Sequence, residues 1–549
     1  MSFTACSESS PSSCAGDDGG GGGASTSAAA SDAGDGDGSG PGSDGEGTAA
    51  SSAGADGSSG GEDTGGPNNT HATYPLEIIA PQPGLDLNSR WYRAYPGLAY
   101  RVPVGVFGGA YPFVYSLAEH PEGMTIDAHS GVIDWLDPGD AGQAHAVTVE
   151  VRDAEASVVE VSWTLTVTED GFVFVDANAP EGGDGSAASP FNSMGDFYGG
   201  DLEDATFNNH FVYWREGTYA LEGLFQGEGV DRHLAYPMTS KPHVWLAYPG
   251  ETVVIDHALG AGAGAPLIQG SWAGGESGDD AFIAGIRFEH MWNHAWRMFG
   301  DRMTFFEDRF AHGGPGADGA NSSFLMWQRY DEGGHYHNFI KGCSFEGFET
   351  GTGAAFLKLY SNEKLVIEDN TFSNTALGPA GQGNIEGIAV KATTRFLDVR
   401  GNTLDGIVQH AIGGNFNQCH DVWIRFNNVQ NAYGGAGEDY GALVLNYMTV
   451  DVGEVYVDRN TFEGNVTVRE ASAEDGPFHF RDNVIVNDNA ASEPLPGIVC
   501  ASCEAPQTVT VDSPDLVGTA QDGVIDGDGR LAGSYRARYL GLVGHELGR

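Results

Sequence analysis

Ile367-Glu-Asp-Asn370-Thr-Phe372, Val399-Arg-Gly-Asn402-Thr-Leu404, Ile424-Arg-Phe-Asn427-Asn-Val429, Val457-Asp-Arg-Asn460-Thr-Phe462 and Phe480-Arg-Asp-Asn483-Val-Ile485 are copies of one short pattern. Each runs apolar, two variable residues, Asn, one residue, apolar. Weaker copies stand upstream as Ile283-Ala-Gly-Ile286-Arg-Phe288, Phe305-Phe-Glu-Asp308-Arg-Phe310 and Ile340-Lys-Gly-Cys343-Ser-Phe345. The fourth positions are separated by 22, 35, 27, 32, 25, 33 and 23 residues. A helical repeat of fixed length does not tolerate such variation. A parallel β-helix does, because its strands stack coil on coil while the turns between them vary.

Stacked Asn side chains at a bend can hydrogen-bond one another and the adjoining backbone. Cys343, at the same position, reads as an inward spacer and not as a nucleophile. Of the 83 glycines, many fall where tight bends need positive φ. Val173-Phe-Val-Asp176, Asp184-Gly-Ser186, Pro190-Phe191 and Arg215-Glu-Gly-Thr-Tyr219 resemble the opening of pectate-lyase-like, right-handed parallel β-helix domains. That resemblance runs over about residues 171–505.

The chain of 549 residues has 26 Lys+Arg against 76 Asp+Glu, a formal charge of −50. Such a field repels nucleic acid and anionic lipid, and no apolar run is long enough to form a transmembrane segment. Six Cys cannot build a disulfide scaffold.

The expected class is all-β, a β-helix preceded by an Ig-like β-sandwich and a disordered N-terminal tether. Residues 1–73 hold 11 acids, 19 Gly and no Lys or Arg, a composition with too little to bury. Phe3-Thr-Ala-Cys6 resembles the end of a bacterial lipoprotein signal, which implies a lipid anchor at Cys6 on an exported protein. Residues 74–169 alternate as short strands, for instance Val147-Thr-Val-Glu-Val151 and Val161-Ser-Trp-Thr-Leu-Thr-Val167. Pro121-Glu-Gly-Met-Thr-Ile-Asp127 followed by Gly131-Val-Ile-Asp-Trp135 resembles the Ig-like, cadherin-like modules of bacterial surface proteins. The β-helix is placed at 170–506 and a closing cap at 507–549, with the protein expected as a monomer.

Alternation along the strand before each repeat predicts which residues face outward. It puts Lys358 opposite Leu357 and Leu359, Lys391 outward from Val390, Asn415 outward from Ile412, Asn446 outward from Leu445, and Arg469 outward from Val468. Arg297 lies on the equivalent strand upstream. Together they predict a basic and amide groove on an acidic body, suited to an acidic polysaccharide.

Asn384-Ile-Glu386-Gly-Ile-Ala-Val-Lys391 resembles the core of polysaccharide lyase family six, the chondroitinase B and alginate lyase group. The resemblance implies Asn384 and Glu386 as ligands of Ca2+, which neutralises a uronate carboxylate, and Lys391 as the general base of β-elimination. An Arg expected one coil later falls at Asn415, which leaves His410, Tyr360, Tyr447 or His420 to supply the acid.

A second group, Arg329, His335 and His337, is expected on the upstream wall of the groove. His290 and His294 have the spacing of a zinc pair but lack the adjoining Glu of a metalloprotease. A β-helix glycoside hydrolase needs two carboxylates across the scissile bond. Asp331 with Glu332, and Glu438 with Asp439, are adjacent in sequence and face opposite ways. A glycan-binding surface protein without catalysis is the remaining alternative.

Overall fold

The computed structural model describes residues 73–518 outside 83–88, 194–195, 197–210, 221–243, 257–267, 270–278, 292–293, 299, 315–321, 328–334, 349–350, 375–382, 392, 408, 417, 433–440, 447–452, 470–477, 482, 487–497, 502–508 and 512–515. The tether and Cys6, Arg329, Asp331, Glu332, Glu438, Asp439 and Tyr447 lie outside the described residues.

Three long parallel sheets make up a β-helix. The first sheet runs from Phe172–Val175 to Val509–Val511, the second from Gly217–Ala220 to Leu516–Gly518, and the third from Ile268–Gln269 to Ile498–Ala501. A strand of the first sheet is followed by one of the second across the Asn bend, as in Asn362–Glu368 and Thr371–Ser373. The coils continue past residue 506, where composition alone suggests a cap. Val509 still pairs with Phe478 and Leu516 with Val484, although the Asn pattern that marks the earlier coils has stopped.

The bend is a continuous amide ladder. Asn370 Nδ2 donates to Asn402 Oδ1, Asn402 to Asn427, Asn427 to Asn460 and Asn460 to Asn483, each at 3.0 Å. Every Oδ1 also accepts the backbone N–H of the preceding coil's Asn, at 2.9–3.1 Å. The side chains are buried to within a few per cent, so these bonds satisfy groups that water cannot reach. Cys343 continues the column, buried and with its N–H bonded to Asn370 Oδ1 at 2.8 Å. The last apolar position of the pattern forms an inner stack, in which Phe310, Phe345 and Phe372 lie nearly parallel, 5.0 and 4.7 Å apart.

Ahead of the coils, residues 73–167 form the sandwich. A four-stranded sheet contains Ala144–Arg152 paired antiparallel with Val158–Val167, and a three-stranded sheet contains Tyr100–Pro103, Val132–Trp135 and Met124–Ile126. Val147, Val149, Trp163 and Leu165 point into its core with Tyr100, Ile133 and Trp135. Period-two alternation predicts this side of each strand.

The sandwich packs on the outer surface of the first sheet. One residue per coil, at the second position of the pattern, forms a buried column in which Lys341, Glu368, Arg400, Arg425, Asp458 and Arg481 are successive register partners. Lys341 and Arg400 both bind Glu368, at 3.1 and 3.0 Å. Asp398 bridges Arg400 and Arg425, at 2.5 and 2.7 Å. The free edges of the guanidiniums turn to the sandwich backbone: Arg400 donates to Val106 O at 2.7 Å, and Arg425 to Gly108 O and Gly109 O at 3.0 and 2.8 Å. Gly108 is required there, since a Cβ would fall 2.0 Å from Pro75 O. Burial alone would raise Glu368, but Arg400 and Lys341 outweigh it and hold its carboxyl below the usual range. Such charges are tolerated because each is paired and hydrogen-bonded.

Asp308 occupies the ladder position of its coil with the wrong chemistry for it. Its Oδ1 accepts the Ile286 N–H at 2.9 Å, while Oδ2 is buried with no partner. Burial pushes its carboxyl well above the ordinary range. Stability from protonated Asp308 is therefore complete below the unfolded value of 3.8 and is lost as pH rises toward the folded one. An amide does not titrate. Asp308→Asn should raise the unfolding free energy by roughly 2 kcal/mol near neutral pH and change it little near pH ~3, read from urea denaturation at both.

Candidate functional site

The third sheet carries Arg297, Lys358, Asn415, Asn446 and Arg469 of the residues that sequence alone assigns to the groove, with Lys391 directly after one of its strands. Its inward column is apolar, with Leu357, Ile388, Ile412, Leu443 and Val466 in register. One residue further along, Arg297, Met326, Lys358, Ala389, Gly413 and Val444 are successive register partners. Val390 pairs with Gly414 and Asn415 with Asn446. Lys391, which follows Val390, is thus level with Asn415 and Asn446 on successive coils, and Lys391 N–H donates to Leu359 O at 2.8 Å. Arg469 pairs with Ala501 at the far end.

Two coils bring the titratable groups together. Glu386 is in register with Ala355, and Gln409 N–H donates to Ile385 O at 3.1 Å, which sets His410 beside Glu386. Lys391 Nζ lies 3.4 Å from Glu386 Oε1 and 3.2 Å from Oε2. His410 Nε2 stands 3.4 Å from Glu386 Oε1 on the other side. Glu386 and His410 are buried, while the Lys391 side chain is 20% exposed. Lys391 is the member of the cluster that reaches the surface.

Lys358 faces away from the core leucines, as alternation predicts. It is not an exposed groove residue, however, because it is 2% exposed. Burial pushes its amine down to about 7; Glu386 pulls it back upward and Lys391 lowers it further. For Glu386, burial acts to raise the carboxyl, and Lys391, His410 and Lys358 overcome it to hold the group well below the ordinary carboxylate range. Glu386 is therefore ionised near neutral pH.

The surroundings of Glu386 do not by themselves show a Ca2+ ligand. The ion takes six to eight oxygen ligands, and among the described residues no group of three or more His, Cys, Asp or Glu is placed to hold a metal. The carboxylate already faces Lys391 and His410, with Lys358 close by. At ~4 Å and an effective dielectric of ~20, one ammonium repels a divalent ion by roughly 8 kcal/mol, as strongly as one carboxylate attracts it. Asn384 pairs in register with Thr352.

His335 and His337 do not join this face. His335 pairs with Asn362 in the first sheet. His337 is half-buried next to Arg302 and Trp91, where the sandwich meets the coils. His420 also belongs to the first sheet. His290 and His294 are not a pair: His290 bonds Asp256 through Nδ1 at 3.0 Å and stacks on His312 beside the second sheet, while His294 begins a strand of the third.

The strands of the third sheet contain a single acid, Glu386, in a chain with 76. The same strands hold Arg297, Lys358, Arg469, His294 and His410, with Lys391 next in line. That depletion was visible in sequence once the strands were aligned. The enclosure of Lys358 was not, because alternation reports direction and not cover.

Residues 88–168 match the family model described as "Putative Ig domain". No curated protein matches the chain in sequence. Among solved structures, a rhamnogalacturonan lyase is similar at 10% identity over 68% of this chain and 99% of its own, with a TM-score of 0.27. The catalytic unit of a GH87 alpha-1,3-glucanase from Streptomyces thermodiastaticus is similar at 14% identity over 72% and 75%, TM-score 0.30. A GH87 alpha-1,3-glucanase catalytic domain in complex with tetrasaccharides follows at 12%, over 77% and 86%, TM-score 0.27. At these scores the likenesses add nothing to what strand pairing establishes.

The coils bearing Glu386 and His410 meet at Gly387, where a Cβ would lie 2.3 Å from Ala411 O. Gly387→Ala must push backbone from backbone. It should lower the unfolding free energy by about 2 kcal/mol in urea titration.

Proposed function

We propose that the third sheet binds an acidic, uronate-containing polysaccharide and that the protein cleaves it by β-elimination. The observation that carries this is the composition of the face: one acid, itself ion-paired, among Lys and Arg residues on a protein of charge −50. Strands of that composition repel a polyanion less than the rest of so acidic a chain. Coils spaced about 4.8 Å apart present Lys391, Asn415, Asn446 and Arg469 at one level, one per coil, along the path of an extended chain.

In the proposed step Lys391 Nζ, having first given its own proton to solvent, takes the proton on the carbon next to the uronate carboxyl. The C–H electrons form the new C=C bond as the C–O bond to the neighbouring sugar breaks, and the departing oxygen leaves with a proton. Asn415 has no acidic proton to give. We assign that proton to Tyr360, which is half-buried and follows Leu359, the register partner of Val390, on the coil before Lys391. His410 is buried beside Glu386, and we assign it to that carboxylate and not to the sugar. A two-carboxylate hydrolase is less well supported, since Glu386 stays ionised and cannot act as the acid.

Incubation with a panel of uronate polymers, followed by ultraviolet absorbance of the unsaturated product, tests the reading. Absorbance should rise, and Lys391→Ala should slow it at least ~100-fold. New reducing ends without absorbance would indicate hydrolysis, and binding without either would indicate a glycan-capture protein.

A further inference from the structure

We infer that Glu386 is a positioning residue that holds Lys391 in place, and that the reaction proceeds without a divalent cation on this carboxylate. The inference rests on the lyase reading for its kinetic part and on geometry for the rest. Both carboxylate oxygens lie within 3.4 Å of Lys391 Nζ. The same carboxylate touches His410 from the following coil, so it ties the base to two coils at once. Lys391 is otherwise a long, flexible side chain at the end of its strand, with its stem partly exposed. Restraining such a chain fixes where Nζ meets the sugar, and an orientation error of an ångström is enough to slow a reaction severely.

A metal ligand would show the opposite arrangement, with oxygen donors turned to a common point and cations kept away. Here Lys391 faces the carboxylate from the end of its own strand and the His410 ring from the following coil, with Lys358 on the preceding coil. The strand Ser323–Trp327, one coil further upstream, contributes no charged residue.

Three measurements on the full chain decide the point. First, calorimetric titration of chelator-treated protein with Ca2+ should give the same stoichiometry for wild type and Glu386→Gln. A site that disappears in the variant overturns the inference. Second, β-elimination should persist in excess chelator. Activity lost there and restored by Ca2+ overturns it too. Third, Glu386→Gln should lower kcat about 100-fold with KM nearly unchanged, and Glu386→Asp should recover part of it. Loss confined to KM contradicts a positioning role.

If no polymer yields unsaturated product, the lyase reading fails, and acylation of Lys391 decides the positioning claim. Peptide mass mapping should show faster modification of Lys391 in Glu386→Gln than in wild type, and equal rates refute the restraint. If Glu386→Gln does not fold, the chelator arm on wild type still decides the metal question.

Discussion

A single constraint underlies the coil: each buried Asn at the bend must find partners on the coils above and below. The amides from Asn370 to Asn483 meet this by bonding one another and the bend backbone, with Nδ2 as donor and Oδ1 as acceptor. A slip of one residue would leave donors and acceptors unpaired in a dry interior, and would also turn the Phe310–Phe345–Phe372 stack out of the core. Register at the bend thereby fixes register elsewhere on the same coil. That is how Glu386 and His410, 24 residues apart in sequence, come to stand side by side.

The same repeat carries a second ladder. Its variable second position gives Lys341, Glu368, Arg400, Arg425, Asp458 and Arg481, and those side chains join the sandwich to the coils through buried ion pairs and backbone carbonyls. Four of the chain's 26 basic residues are used here. Scarcity of Lys and Arg thus does not by itself identify a substrate groove. The charges beside the sandwich are consumed by docking, and those of the third sheet are identified by strands that hold a single acid among the described residues.

The fold was legible because its cause is local: a bend that needs Asn and flanking apolar residues repeats in the chain whatever the turn lengths. The sandwich was legible for the same kind of reason, through alternation in Val147–Val151 and Val161–Val167. At the candidate site, direction was readable and environment was not. Lys358 opposes its flanking leucines as alternation requires, yet its enclosure depends on segments distant in sequence. His335 belongs to another sheet and His337 to the bend that follows it, because coil length, not side-chain pattern, decides which strand a segment supplies. The Lys391–Glu386 spacing of five residues was visible, whereas its meaning as an ion pair required His410 and Lys358 to be set around it.

The central claim is that one acid-poor sheet of an acidic protein receives a polyanion with Lys391 at the reacting sugar. The most direct measurement is a crystal structure of the Lys391→Ala protein soaked with a uronate oligosaccharide. The account predicts sugar density across the third sheet, near Asn415 and Asn446, with a uronate carbon-bound proton directed at the space Lys391 would fill. Sugar bound on the sandwich or on the second sheet, with the third left bare, would contradict it.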